Sequence, residues 1–307
     1  MGKFFKTWSG ECSAWECDGL GHLNMRHYMT KVQQARQMFF ISTGLPLAFR
    51  EKSLTTVKVK SFYIRYIDEA RPDDPLYIES GCLEISKKAA KICHIMYHLD
   101  GRVASTIVEN VEHINLSTET AAIWPKGFFQ SAERYNIIQP LEAKLRNIKH
   151  ETESWNPHES ELIKISAKQI GAGVFQLHEA GTDGKITPQA LMGRATETLA
   201  HMLDGYPEFR DPLYKNGENS GALLEAQIFI HKAQVAGDAY RFYSGLIEGD
   251  KYTRKIVHHI VNSVTGDCIF SMIGAGCLFN LKSRKLIKAN ERQVEVLQNN
   301  ILDGLRI

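Results

Sequence analysis

Apolar residues recur at helical spacing in Met25, Tyr28, Met29, Val32, Phe39 and Phe40, a single stripe that predicts an amphipathic helix over 24–43. Asn24 stands ahead of the stripe as an N-cap, and Gly44 followed by Pro46 stops it. Residues 6–16 before it read as extended chain. After it, 54–67, 76–86, 89–99 and 102–116 alternate or run apolar at strand length, and Asp100-Gly101 joins the last two as a hairpin.

The same series returns about 163 residues later. Pro188, Leu191, Met192, Ala195, Met202 and Leu203 repeat the helical stripe and predict a helix over 187–204, with Thr187 as N-cap and Pro188 at the first helical position. Residues 161–179 take the place of the leading extended piece, and strands are expected near 222–235, 239–249, 253–263 and 268–281. Asp74 matches Asp238 and Ser80-Gly81 matches Ser244-Gly245, each pair 164 apart; His94-Ile95 and Asn115-Leu116 match His259-Ile260 and Asn280-Leu281, 165 apart. Ordered matches that drift by two residues are what a diverged tandem duplication leaves. In each half one helix and one antiparallel sheet must cover each other, so the expected class is α+β with the sheet wrapped around its helix. The expected divisions are 1–135 for the first unit, 136–160 for a connector, 161–288 for the second unit and 289–307 for a helical tail. A short helix is expected near 128–135.

Composition narrows the function without choosing it. A chain of 307 residues with 43% hydrophobic content can fill two cores of ordinary size. A net charge of +2 gives no footing for a nucleic-acid partner. No apolar run is long enough for a membrane span, and no signal peptide is evident. The six cysteines form no C-x-x-C pair and read as reduced packing residues of a cytoplasmic protein.

The chemistry concentrates in Trp15-Glu16-Cys17-Asp18-Gly19-Leu20-Gly21-His22-Leu23-Asn24-Met25-Arg26-His27-Tyr28. A carboxylate, Asp18, sits in a glycine-bearing loop just before a helix start. Such a carboxylate can activate water or attack a carbonyl itself, and N–H groups near Asn24 and Met25 can hold the resulting oxyanion. An acyl-transfer cleft follows from those residue types in that order. The ordinary alternative is that Asp18 serves as a turn residue and Asn24 only as a cap.

The stretch resembles the loop and central helix of hotdog-fold thioesterases of the 4-hydroxybenzoyl-CoA thioesterase type, whose pattern is roughly Asp-x-Asp-x-x-Gly-His-Val-Asn-Asn-x-x-Tyr. Glu16 stands at the first Asp, Asp18 at the second, and Gly21, His22, Leu23, Asn24 and Tyr28 follow, with Met25 replacing the second Asn. The resemblance implies that Asp18 is catalytic and that no metal or redox cofactor is needed. With the duplication it implies a double hotdog: two antiparallel sheets, each wrapping a long central helix, paired as an intrachain pseudodimer. His22 also falls at the His of the Asp-x-Asn-x-His pattern of plant-type acyl-ACP thioesterases, although Leu20 replaces that Asn, and it is assigned to positioning substrate. Gln33-Gln34 replace the Glu-Glu that often precedes Ala-Arg on the family's helix. Their counterpart Glu197 lies where some hotdog thioesterases carry a catalytic carboxylate. The second loop has Gly181 and Lys185 at the places of Asp18 and His22.

Lys87 and Lys88 (with Lys91) recur as Lys251 and Arg254 (with Lys255) between strands, and these clusters could hold CoA phosphates or simply be solvated turns. His258 and His259 are strand neighbours on opposite faces, unsuited to one metal. The function expected is an acyl-CoA thioesterase that yields a free acid and CoA. The alternatives are a hotdog that binds acyl-CoA or an acyl carrier without hydrolysis, and a hydratase or dehydratase. Association of such chains into a homo-oligomer stays open.

Overall fold

In a computed structural model, which describes residues 3–149, 154–210 and 218–307, the first predicted helix is α1 (Met25–Ser42). The Asn24 side chain accepts the backbone N–H of Arg26 at 3.1 Å and starts it. The predicted stripe of Tyr28, Met29, Val32, Phe39 and Phe40 is its buried face. The chain gathers into two compact units, Met1–Lys144 with His178–Gly193, and Leu145–Leu177 with Arg194–Ile307. The class is α+β with antiparallel strands.

In the first unit, β1 (Phe5–Glu11), β2 (Thr55–Tyr66), β3 (Pro75–Ile85), β4 (Ala89–His98) and β5 (Val103–Asn115) lie in the order β1-β3-β4-β5-β2, every pairing antiparallel. β6 (Thr120–Ala121) adds a short pair to β5. Helix α1 packs on β1 and β3. A second helix, α2 (Lys126–Glu133), leads into a strap in which Cys82 N–H donates to Tyr135 O and Ile137 N–H to Cys82 O, both at 2.8 Å. Ile137 and Ala143 then bury Cys93, Ile95 and Val108.

A buried polar chain crosses this core. Arg36 Nη1 reaches Glu109 Oε1 at 2.7 Å, Glu109 Oε2 lies 3.4 Å from His94 Nε2, His94 Nδ1 bonds Ser80 Oγ at 2.6 Å, and Ser80 Oγ bonds Thr7 Oγ1 at 2.7 Å. Burial alone would raise the Glu109 carboxyl; the Arg36 guanidinium and His94 outweigh it and hold its pKa below the ordinary carboxylate value.

The second unit begins with α3 (Glu159–Lys164) and β7 (Lys168–Val174). Helix α4 (Pro188–Glu197) carries the boundary between the units at Gly193. After it come β8 (Asn219–Ile230), β9 (Ala239–Gly249), β10 (Thr253–Asn262) and β11 (Cys268–Asn280), in the order β7-β9-β10-β11-β8. That order is the first unit's, element for element. Helix α5 (Glu291–Asn299) again leads to a strap: Ile301 bridges Leu246 in parallel, as Asn136 bridges Cys82. The structural repeat therefore runs on through α2 and α5 and their straps.

Two expectations over 161–204 do not hold. Residues 161–179 are not one extended piece. His158 Nδ1 accepts Ser160 N–H, and Glu161 returns a bond to His158 N–H, a capping box that opens α3 ahead of β7. The second helix ends at Glu197, not at 204. Thr198 turns its hydroxyl back to Arg194 O at 2.8 Å, and the chain continues in 3-10 turns at Leu199–His201, Leu203–Gly205 and Pro207–Arg210. Gly205 and Pro207 are poor helix residues, which keeps this stretch from propagating as an α-helix.

All six cysteines are free. His258 and His259 are buried, which pushes their pKa values down to about 3 and about 4. Among the described residues no helix is long and apolar enough to cross a membrane.

Candidate active site

The loop before α1 is held by its own backbone. Cys17 bridges Leu23, Asp18 N–H donates to His22 O at 3.0 Å, Gly21 N–H to Asp18 O at 3.0 Å, and Asn24 N–H to Glu16 O at 3.0 Å. Gly21 closes the turn at φ +77°, a conformation that glycine adopts without strain. Leu23 N–H donates to Ala70 O at 2.8 Å and ties the loop to the segment after β2. Glu16, at the first acidic position of the motif, is buried: its Oε2 accepts Lys31 Nζ at 2.6 Å and Ser13 N–H at 2.9 Å. Glu16 is thereby a structural anchor, and Asp18 is the loop's accessible carboxylate.

Asp18 Oδ1 accepts Leu20 N–H at 2.8 Å, and its Oδ2 lies 3.3 Å from His22 Nδ1. The other imidazole nitrogen is 3.8 Å from Glu69 Oε1. The His22 side chain is 19% exposed and both carboxylates 28%, open enough for substrate and water to arrive. Glu69 was not among the residues singled out by sequence. It follows the end of β2 in an acidic run, Asp68-Glu69, and no spacing ties it to the motif; only the bond between Leu23 and Ala70 brings it alongside.

Of the two positions expected to offer oxyanion donors, the Asn24 backbone N–H is taken by Glu16 O and its side chain caps Arg26. Met25, the first residue of α1, remains the candidate donor at the positive end of the helix. Tyr28 is buried against Tyr66 with ring centroids 5.1 Å apart, and burial pushes its pKa up from the ordinary phenol value, which keeps it a neutral packing residue.

The loop at 179–187 has the same construction. Ala180 bridges Ile186, Gly181 N–H donates to Lys185 O at 2.8 Å, Gly184 N–H to Gly181 O at 2.9 Å, and Thr187 N–H to Glu179 O at 3.0 Å, with Gly184 at φ +73°. Every one of these bonds lies 163 residues from its partner in the first loop. Lys185 pairs with Glu119 at 2.9 Å.

Glu197 sits at the last position of α4, and Arg194 Nη1 donates to its Oε2 at 2.6 Å. Lys87, Lys88 and Lys251 are exposed. Arg254 is not part of a surface cluster: it is 1% exposed and ion-paired with the fully buried Glu208. Along β10 it shares a face with Ile256 and His258, and strand alternation turns that face into the core. Lys91 and Lys255, its neighbours in the proposed clusters, make equivalent surface pairs with Glu84 at 3.3 Å and Glu248 at 2.8 Å. Among the described residues no group of His, Cys, Asp and Glu is arranged to hold a metal ion.

Residues 12–132 match the model of the thioesterase-like superfamily. No curated protein matches the sequence. Among solved structures, a putative oleoyl thioesterase from Lactobacillus plantarum is similar with a TM-score of 0.66 and 10% identity, covering 90% of this chain and 96% of that one. The 12:0-ACP thioesterase from Umbellularia californica gives 0.68 and 11% over 90% of this chain and 94% of its own. An acyl-ACP thioesterase from Bacteroides thetaiotaomicron gives 0.62 and 12% over 89% and 97%. At such identities these likenesses establish a shared fold.

Proposed function

We propose, from the premise that this chain is a hotdog thioesterase whose residues 12–132 belong to the thioesterase-like superfamily, that it hydrolyses an acyl-CoA or acyl-carrier thioester at the loop before α1. The observation that carries this reading is the Asp18 carboxylate, presented beside His22 at 3.3 Å in a loop whose shape is held by its own backbone bonds. Asp18 acts as base toward water or as the nucleophile itself, and the carbonyl oxygen gathers charge at Met25 N–H. With Asp18 as base, water adds to the carbonyl carbon, the C–S bond breaks, and the proton taken from water leaves with the thiolate. With Asp18 as nucleophile, its carboxylate displaces the thiolate to form an anhydride, and water then hydrolyses that anhydride to the free acid, returning Asp18 and supplying the thiol proton. His22, between Asp18 and Glu69, orients the carboxylate and the incoming thioester.

The finer architecture belongs to the same proposal. The common strand order of the two units, and the two loops 163 residues apart, support a tandem hotdog with an intrachain pseudodimer. Only the first loop retains the catalytic side chains. Lys87, Lys88 and Lys251 are exposed cations suited to CoA phosphates; Arg254 is not assigned to that role. Six free thiols suit a reducing, cytoplasmic setting. Two of the three structural neighbours are named acyl-ACP thioesterases, which favours testing carrier-protein thioesters beside CoA thioesters.

Thiol release from a panel of acyl-CoA and acyl-carrier thioesters tests the reading, with enoyl-thioester absorbance followed in parallel. Turnover with thiol release is the expected result. Binding without thiol release would make the protein a carrier of acyl thioesters, and hydration of the enoyl group without thiol release would make it a hydratase.

A further inference from the structure

The two units differ sharply at one place where a strap crosses the sheet edge. In the first unit Phe5, Phe39 and Tyr135 fill it: Phe5 stands 5.6 Å from Phe39 and 4.2 Å from Tyr135 between ring centroids, and Phe39 is 6.4 Å from Tyr135. The counterparts follow from pairing. Phe5 faces Ser80 across the sheet as Lys168 faces Ser244. Tyr135 precedes the bridge from Asn136 to Cys82 as Asn300 precedes the bridge from Ile301 to Leu246. Phe39 lies 163 residues before Met202. Three packed rings thus become Lys168, Met202 and Asn300, and all three line a cavity of about 350 Å³ in the second unit.

The early end of α4 contributes to the same opening, because Met202 and Gly205 reach this wall from 3-10 turns instead of a continuous helix. The cavity lining is mixed: Leu246, Ile256 and Leu302 supply an apolar side beside the polar residues. Ser244, 3% exposed, brings a buried hydroxyl with no hydrogen-bond partner to its wall. Lys168 and Asn300 add an ammonium and an amide. A buried polar group left unsatisfied costs free energy, so a lined cavity of this kind is suited to a ligand that supplies the missing partner.

We propose that this second-unit cavity binds an aliphatic monocarboxylate, its chain against Leu246, Ile256 and Met202 and its carboxylate toward Lys168 and the Ser244 hydroxyl. The volume equals that of roughly a dozen waters, room for a short or medium chain. Such a ligand has the chemistry of a thioesterase product, but binding here does not depend on hydrolysis at Asp18.

Calorimetric titration of the full chain with octanoate tests this, with Asp18→Asn titrated alongside to separate it from product binding at the catalytic loop. Saturable binding that persists in Asp18→Asn is expected. Met202→Phe with Asn300→Tyr, which copies two of the first unit's three rings, should weaken it at least tenfold. Lys168→Met should weaken octanoate about tenfold while leaving octanol binding unchanged, and it decides the matter if the double variant does not fold. No binding to the wild-type chain, binding lost in Asp18→Asn, or affinity unchanged in the filled or Lys168→Met variant would overturn the proposal. A chain that binds octanoate through this cavity yet releases no thiol would keep it and lose the hydrolytic reading.

Discussion

Loop Glu16–Asn24 and loop Glu179–Thr187 have the same backbone: the same bridge, the same three turn and entry bonds, and a glycine at φ +77° in one and +73° in the other. They differ in what the backbone presents. Asp18 and His22 in the first become Gly181 and Lys185 in the second, so the same backbone scaffold stands with the carboxylate and without it. The cores show the same contrast. Ser80 and His94 belong to a charged chain ending at Glu109 and Arg36 in the first unit, whereas Ser244 Oγ and His258 Nδ1 are both buried without partners; strand pairing makes His258 the counterpart of His94, one residue before the His259 expected from sequence spacing. Conformation and chemistry are thus separable in this fold. Backbone bonds and glycines maintain the loop, and under the proposed function two side chains decide whether it can act.

The largest expected effect tests the charged core. Glu109→Gln removes the carboxylate that Arg36 and His94 face, leaving a buried guanidinium uncompensated, and should cost about 3–5 kcal/mol in denaturant unfolding. A loss under about 1 kcal/mol would mean that the first core does not rely on its charges.

A smaller effect comes from the second core. His258 and His259 have folded pKa values of about 3 and about 4, against an ordinary value of 6.5. As pH falls below about 6.5 the unfolded chain takes up these protons first, so the stability is fully present above that pH and is lost as pH approaches the folded values. Between pH 7 and pH 5 each should remove on the order of 2 kcal/mol, and His259→Gln should flatten part of the slope. A stability profile level over that window would contradict neutral burial.

The smallest effect is at the silent loop. Lys185 pairs with Glu119 at the surface, so Lys185→His should change stability by less than about 1 kcal/mol. Thiol release should not fall, since this loop lacks the carboxylate. A marked fall in turnover would show that the second loop takes part in the reaction.

Much of this was legible in the chain. The strands near 54–67, 76–86, 89–99 and 102–116 appear as β2 to β5 within two residues at each end, because alternation and turn residues report sheet pairing directly. The loop motif also gave the Asn24 cap, and the two side chains it singled out, Asp18 and His22, stand 3.3 Å apart. Long-range commitments were harder to see. Nothing local reveals that Asn24 N–H is spent on Glu16 O or that Glu69 comes beside His22. The second helix appeared longer than it is because Met202 and Leu203 continue the apolar spacing that Gly205 and Pro207 do not sustain. α3 was missed because histidine is an uncommon cap. Arg254 looked like a surface cation beside Lys251 and Lys255, although its parity with Ile256 and His258 along β10 already placed it on the inner face.

The central claim is that thioester hydrolysis runs on the first loop's carboxylate, and the most direct measurement is thiol release by folded Asp18→Asn and Glu197→Gln, each against the wild-type chain. Asp18→Asn removes base or nucleophile chemistry with almost no change of shape and should lower turnover at least about a hundredfold. Glu197 is already engaged by Arg194 at 2.6 Å, and Glu197→Gln should keep turnover within about threefold. Loss of turnover in Glu197→Gln, with Asp18→Asn unaffected, would contradict the claim and place the chemistry on the second helix.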